Sequence, residues 1–199
     1  MIWMCIEINE YKDSLDDDFS QYFNLKDIDK DAEILLNKFY DNSTYQLDKS
    51  RGKATPIIEI AKIMGFKIYT GKFKERNLSG TIGISEKLRN QYGSNKVIIL
   101  NNQDTDKHIL FTLAHEIAHY IFDYKRESVG YSNTYRTNEA QTDIEVRANR
   151  FAASFLMPQT VFIKKYKENL CIEDLSNYFN VPETAVKMRI QELELGNGY

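Results

Sequence analysis

The sequence predicts an α+β domain: a small, mostly antiparallel three-stranded sheet packed on one long active-site helix, with a helical C-terminal part. Three observations carry this. Segments of helical and strand periodicity run in the order helix, strands, helices, which is the order of segregated layers and not of repeating βαβ units. The 199 residues are 42% apolar, enough to build a core in one domain with a small appendage. No internal repeat at a fixed period divides the chain into an array.

The elements follow in order. The opening run Met1 to Ile6 is apolar, but Glu7 closes it and no basic residue precedes it, so it is too short for a signal peptide. Residues 11–27 carry Asp13, Asp16, Asp17 and Asp18 with little apolar periodicity and read as an exposed entry segment. Residues 28–40 place Ile34, Leu35 and Phe39 at helical spacing, and residues 41–53 read as a loop. Residues 1–53 thus form an N-terminal extension with one helix.

Pro56 opens a short helix with Ile57, Ile60, Ala61 and Met64 on one face and Gly65 as its stop. Strands are expected over Phe66–Phe73, Ser79–Ile84 and Lys96–Asn101. Gly80 and Gly83 mark the middle one as an edge or as a place of close backbone approach. Residues 85–95 read as a polar connection. Asp104 or Thr105 can cap a helix that runs to about Asp123. After a polar stretch over 124–141, a second long helix spans roughly 142–157, where Pro158 ends it. Residues 54–160 form the core unit, and 161–199 a C-terminal helical pair packed on it.

Composition narrows the function. A formal net charge of −3 argues against a protein whose main work is gripping nucleic-acid backbone. The tail from Ile172 to Leu195 has a helix–turn–helix outline around Asn180-Val181-Pro182. However, Glu173, Asp174, Glu183, Glu192 and Glu194 outnumber Lys187 and Arg189 there, so packing or partner recognition is expected and direct nucleic-acid binding is not. The two cysteines, Cys5 and Cys171, lie far apart and suit a reducing cytoplasm. The longest uncharged stretch, Phe151 to Ile163, carries Pro158 and falls short of the ~20 residues of a membrane span.

The chemistry concentrates in His115-Glu116-Ile117-Ala118-His119. On a helix, positions i and i+4 are separated by about 40° and ~6 Å, so both imidazoles can share one ion. Neutral imidazole suits Zn²⁺. Glu116 lies about 100° round the helix, where it can flank the ion as a general base without ligating it. Ile109, Leu110, Leu113, Ala114, Ala118 and Ile121 make the other faces apolar, as befits a core helix with one polar stripe.

A zinc hydrolase needs a third protein ligand and one open position for water. Glu145 is the best candidate, sharing a helical stripe with Asn149, Ala152 and Leu156. Ala148, Ala152 and Ala153 let that helix lie close to the first. Glu139 and Asp143 are rival carboxylates. His108 shares the face of His115 but lies ~10 Å along the axis, so it reads as a helix-surface group or as a wall of the cleft. Tyr120, Tyr131, Tyr135, Arg136 and His108 are all candidates for a donor to the oxyanion.

The segment Phe111 to His119, followed by Glu145-x-x-Ala148-Asn149-x-Phe151-Ala152-x-x-Phe155-Leu156-Met157-Pro158, resembles the ImmA/IrrE family of metallopeptidases. Ile57 to Ser85 is also similar to the stretch ahead of that family's metal helix, and the resemblance covers roughly residues 54–195. His108 stands where the family often has arginine. The resemblance implies a zinc-dependent endopeptidase with one Zn²⁺ per chain and few substrates. The expected substrate is a partner protein such as a transcriptional repressor whose removal releases genes of mobile elements or stress responses. His115, His119 and Glu145 would hold the metal, and Glu116 would activate the water that attacks the peptide bond. If Ser79–Ile84 is an edge, an extended substrate could add to it as a further strand. The competing expectation is a non-catalytic zinc-containing binding module or a toxin–antitoxin component acting by contact.

Overall fold

The apolar helix that carries the histidine pair organises the molecule. In the computed structural model, which describes residues 4–5, 27–41, 54–75, 77–122, 132–135 and 143–196, this helix is α4, Asp106–Phe122. The elements before it are β1 (Met4–Cys5), α1 (Ile28–Asp41), α2 (Ile57–Ile63), β2 (Lys67–Gly71), β3 (Leu78–Ile84), α3 (Glu86–Tyr92) and β4 (Lys96–Asn101). After it come β5 (Ser132–Tyr135), α5 (Asp143–Leu156), α6 (Gln159–Lys167), α7 (Ile172–Phe179) and α8 (Glu183–Glu192). Residues 11–26 and 42–53, expected as an entry segment and a loop, lie outside the described residues.

Thr105 starts α4. Its hydroxyl accepts a hydrogen bond from the His108 amide at 3.4 Å, as a capping side chain does, while its carbonyl accepts from Ile109 at 2.9 Å. From Thr112 to His119 every residue of α4 is buried, polar ones included. One side faces the sheet and another faces α5, so the helix has no solvated face over these two turns.

The sheet order is β1-β2-β4-β3-β5. The three expected strands lie at its centre, and two short strands extend it at either end. Three of the four pairings are antiparallel, whereas β2 and β4 run parallel, with Lys67 opposite Val97 and Gly71 opposite Asn101. Side chains alternate with the period-two geometry of a strand. Ile82, Ile98 and Leu100 face the main core, and Val97 and Ile99 face Leu88 of α3 on the other side.

Three expectations change. The segment Ser79–Ile84 is not an edge, because β5 pairs with it along Leu78–Ile82. The sequence Ser132-Asn133-Thr134-Tyr135 lacks apolar alternation, so nothing in it announced a strand. The polar connection over 85–95 contains α3, whose Ser85 hydroxyl accepts from the Lys87 amide and whose stop, Gly93, sits at φ 68°. Leu88 alone is buried there, too little for a periodic signal. In α1 the buried stripe is Ala32, Leu35, Leu36 and Phe39, and Ile34 points to solvent at 39% exposure.

α1, α2, α4, α5 and the three C-terminal helices share one hydrophobic core. Phe162 of α6 and Phe179 of α7 meet with ring centroids 5.5 Å apart, and Phe151 and Phe155 stack along α5 at 5.2 Å. Lys107 on the first turn of α4 donates to Ser176 Oγ at 2.8 Å and to Asn177 Oδ1 at 2.6 Å, fastening α7 to the start of the central helix. Among the described residues, no helix is long and apolar enough to cross a membrane.

Candidate metal centre

Two helices bring the polar groups together. α4 supplies His115 and His119, 2% and 4% exposed, and α5 supplies Glu145 from its first turn. Ala148, Ala152 and Ala153 are all buried, and α5 packs along α4. His115 Nε2 and His119 Nε2 lie 2.9 Å apart. Glu145 places Oε2 at 3.2 Å from His115 Nε2 and Oε1 at 3.5 Å from His119 Nε2. The three residues form a group able to hold a metal ion, with ligand atoms all within 4.8 Å of one another.

The spacing suits zinc. Ligands at Zn–N and Zn–O distances of ~2.0–2.1 Å in a tetrahedron stand about 3.3 Å from each other. The 2.9, 3.2 and 3.5 Å separations bracket that figure. Two imidazoles and one carboxylate are also the donor set of an open zinc site, with a fourth position left for water or substrate.

Charge supports the same arrangement. Burial raises the Glu145 pKa, but contact with His115 and positive charge on His115 and His119 outweigh that and lower it; with the imidazoles neutral, a bound cation would supply that positive charge instead. Its anionic form is therefore the favoured one. Asp143, a rival carboxylate, is exposed. The other rival, Glu139, lies outside the described residues.

Asn149 has a role the sequence reading did not assign. Its Oδ1 lies 2.8 Å from His115 Nδ1. An amide oxygen only accepts, so this contact requires the proton on Nδ1 and leaves the Nε2 lone pair for a metal. The spacing placed Asn149 on the Glu145 stripe, four residues on, but did not show which atom it would meet.

Glu116 is fully buried and faces the sheet. A Cβ added at Gly80 of β3 would lie 3.0 Å from Glu116 Oε1 and 2.6 Å from Thr112 Cγ2. Of the two expectations for Gly80, close backbone approach is the one observed. The glycine lets β3 lie directly on α4 beside the glutamate.

His108 and Tyr120 make their contacts elsewhere. His108 lies 3.3 Å from Ser79 Oγ and 3.8 Å from Asp104 Oδ2, and burial pushes its pKa below the usual value. Tyr120 turns toward the sheet: its hydroxyl accepts from Lys96 Nζ at 3.0 Å, and its ring meets Phe66 edge-on at 5.1 Å. Tyr131 and Arg136 lie outside the described residues, and Tyr135 is described only as part of strand β5.

Over residues 61–191 the chain matches the Peptidase_M78 family, described as the IrrE N-terminal-like domain. Among solved structures it is similar to a Mycobacterium tuberculosis transcriptional regulator, with a TM-score of 0.55 and 16% sequence identity. That alignment covers 87% of this chain and 49% of the other, so the chain spans about half the length of that protein. At this identity the likeness concerns the fold alone. A search of curated proteins finds no match.

Proposed function

Because the chain belongs to the Peptidase_M78 family of IrrE N-terminal-like domains, a metallopeptidase-type family, we propose that it is a zinc-dependent endopeptidase cutting a specific partner protein, such as a transcriptional repressor. The observation that carries the proposal is the convergence of His115, His119 and Glu145 beside a fully buried Glu116. His115 Nε2, His119 Nε2 and the Glu145 carboxylate would hold one Zn²⁺ per chain. When bound, the ion supplies Lewis acidity that brings a water toward a pKa of ~7 and offsets negative charge on a carbonyl oxygen.

The chain's own residues do the rest. Asn149 fixes the His115 tautomer and ring orientation. Glu116 is the general base: it accepts the proton of the attacking water and returns it to the leaving amine. Its burial beside Gly80 restricts its rotamers, so the carboxylate is positioned before substrate arrives. A repressor-type substrate follows from the protein-cutting class of the family and from the earlier resemblance to ImmA/IrrE peptidases. The regulatory character of the Mycobacterium tuberculosis protein is consistent with that setting.

The test is Glu116→Gln. Glutamine is nearly isosteric, so fold and zinc content should persist. The amide cannot take up the proton, and cleavage of the cognate protein should fall by ~10²–10⁴. Cleavage at the wild-type rate would remove Glu116 from the role of base. Tight binding of the partner without cleavage by either form would favour a binding module over an enzyme.

A further inference from the structure

Asp29 of α1 and Arg189 of α8 are charged residues at 8% and 0% exposure, and they form an ion pair across the C-terminal half of α5. Ser154 of α5, also buried, sits between them. Its hydroxyl donates to Asp29 Oδ1 at 2.7 Å, and Arg189 Nη1 donates to Ser154 Oγ at 3.3 Å. Arg189 Nε donates to the Met157 carbonyl at 3.2 Å, satisfying a backbone acceptor just past the last turn of α5. Arg150, one turn before Ser154, reaches Asp29 Oδ2 at 3.5 Å. The pair itself joins α1 to α8, and Arg189 Nη1 also lies 3.5 Å from Glu192 of its own helix; the remaining contacts bear on α5 or the residue that follows it.

α5 is also the helix that carries Glu145 and Asn149. Ser154 lies ~14 Å along the axis from Glu145, within one unbroken helix, so an axial shift or rotation at one end moves the other. Where α5 meets α4, Phe151 lies edge-on to Phe122 at 5.5 Å, Arg147 covers the Phe122 ring and Asn149 meets His115, so contacts with α4 also bear on its placement. The polar network adds to this: Asp29 and Arg189 pair with each other from α1 and α8, and a displaced α5 would break the buried hydrogen bonds of Ser154 to both and of Arg189 to the Met157 carbonyl. Asp29 lies outside the stretch that matches the family, residues 61–191.

We propose that α1 is a positioning element of the metal centre: Asp29, through Arg189 and Ser154, sets the axial placement of α5 and with it the distance of Glu145 from His115 and His119. The proposal rests on the reading of those three residues as metal ligands. Asp29 and Arg189 touch neither metal nor substrate; they act through α5. The extension before the family core is then a working part of the site.

The experiment compares full-length Asp29→Asn with Glu33→Gln. Glu33 also anchors α1, but its carboxylate accepts from the amide and hydroxyl of Thr160 on α6. Zinc affinity by chelator competition, the visible spectrum of the cobalt-loaded protein, and amide hydrogen exchange over residues 143–149 of metal-free protein are measured where circular dichroism shows each variant folded. Asp29→Asn should weaken zinc binding about tenfold or more, as loss of groups that orient ligands does. It should also shift the cobalt spectrum and speed exchange at 143–149. Glu33→Gln should do none of these. If Asp29→Asn does not fold, Asp29→Glu keeps the charge, lengthens the side chain and should show the same changes to a smaller degree. Unchanged affinity, spectrum and exchange in a folded Asp29 variant would overturn the proposal. If wild-type protein binds no metal, the metal reading fails, and exchange at 143–149 alone then decides whether Asp29 places α5.

Discussion

His115 meets two demands at once. Nδ1 must donate to Asn149 at 2.8 Å, and Nε2 must present a lone pair toward His119 and Glu145. Asn149→Leu removes the acceptor and frees the ring to adopt the other tautomer. We expect zinc affinity to drop by about 10–100-fold with little change in fold, measured by chelator competition. An unchanged affinity would show that Asn149 merely fills space. Much of the site was legible from residue types, since two histidines four residues apart on one helix and a glutamate in the first turn of the next long helix already outline a donor set. The Asn149 bond was not, because a stripe shows which residues face a neighbour but not which atom each one meets.

At the scale of elements, the approach of β3 to α4 is the tightest contact near the site. Gly80→Ala places a methyl 2.6 Å from Thr112 Cγ2, so β3 or α4 must move. We expect a loss of about 1–3 kcal/mol from overpacking, read by denaturant unfolding, together with reduced turnover as Glu116 shifts. A variant of wild-type stability and rate would mean that the two elements can part freely. The elements the sequence revealed are those with long apolar stripes, α4 and α5. It concealed those held by few apolar groups: α3, with Leu88 alone buried, and the polar strand β5. The parallel pairing of β2 with β4 was hidden too, because β3 crosses to the far side of β4 and strand spacing alone does not reveal that order.

At the scale of the molecule, the Asp29–Arg189 pair joins the first helix to the last. No sequence pattern links residues so far apart, so it could not have been foreseen. Burial raises the Asp29 pKa, but Arg189, Ser154 and Arg150 outweigh it and hold the carboxyl below its ordinary value. A carboxyl depressed in the folded state contributes stability above its unfolded pKa of ~3.9 and loses it as pH falls through the folded value. Glu192, raised chiefly by burial despite Arg189, titrates with the opposite sign, so comparison of variants is needed to isolate Asp29. Breaking such a buried pair typically costs about 3–5 kcal/mol. Asp29→Asn should therefore be markedly less stable than wild type at pH 6, with the gap narrowing toward pH 3. Thermal unfolding across that range checks it, and a gap that stays constant would detach the effect from Asp29 ionisation.

The proposed function rests on a metal held by His115, His119 and Glu145. The most direct measurement is the metal content of purified wild-type protein beside Glu145→Ala and Asp143→Ala. Our account predicts about one zinc per chain in wild type and in Asp143→Ala, whose residue is exposed, and little in Glu145→Ala, where only two ligands remain. Full zinc occupancy in Glu145→Ala, or none in wild type prepared with zinc present, would contradict it.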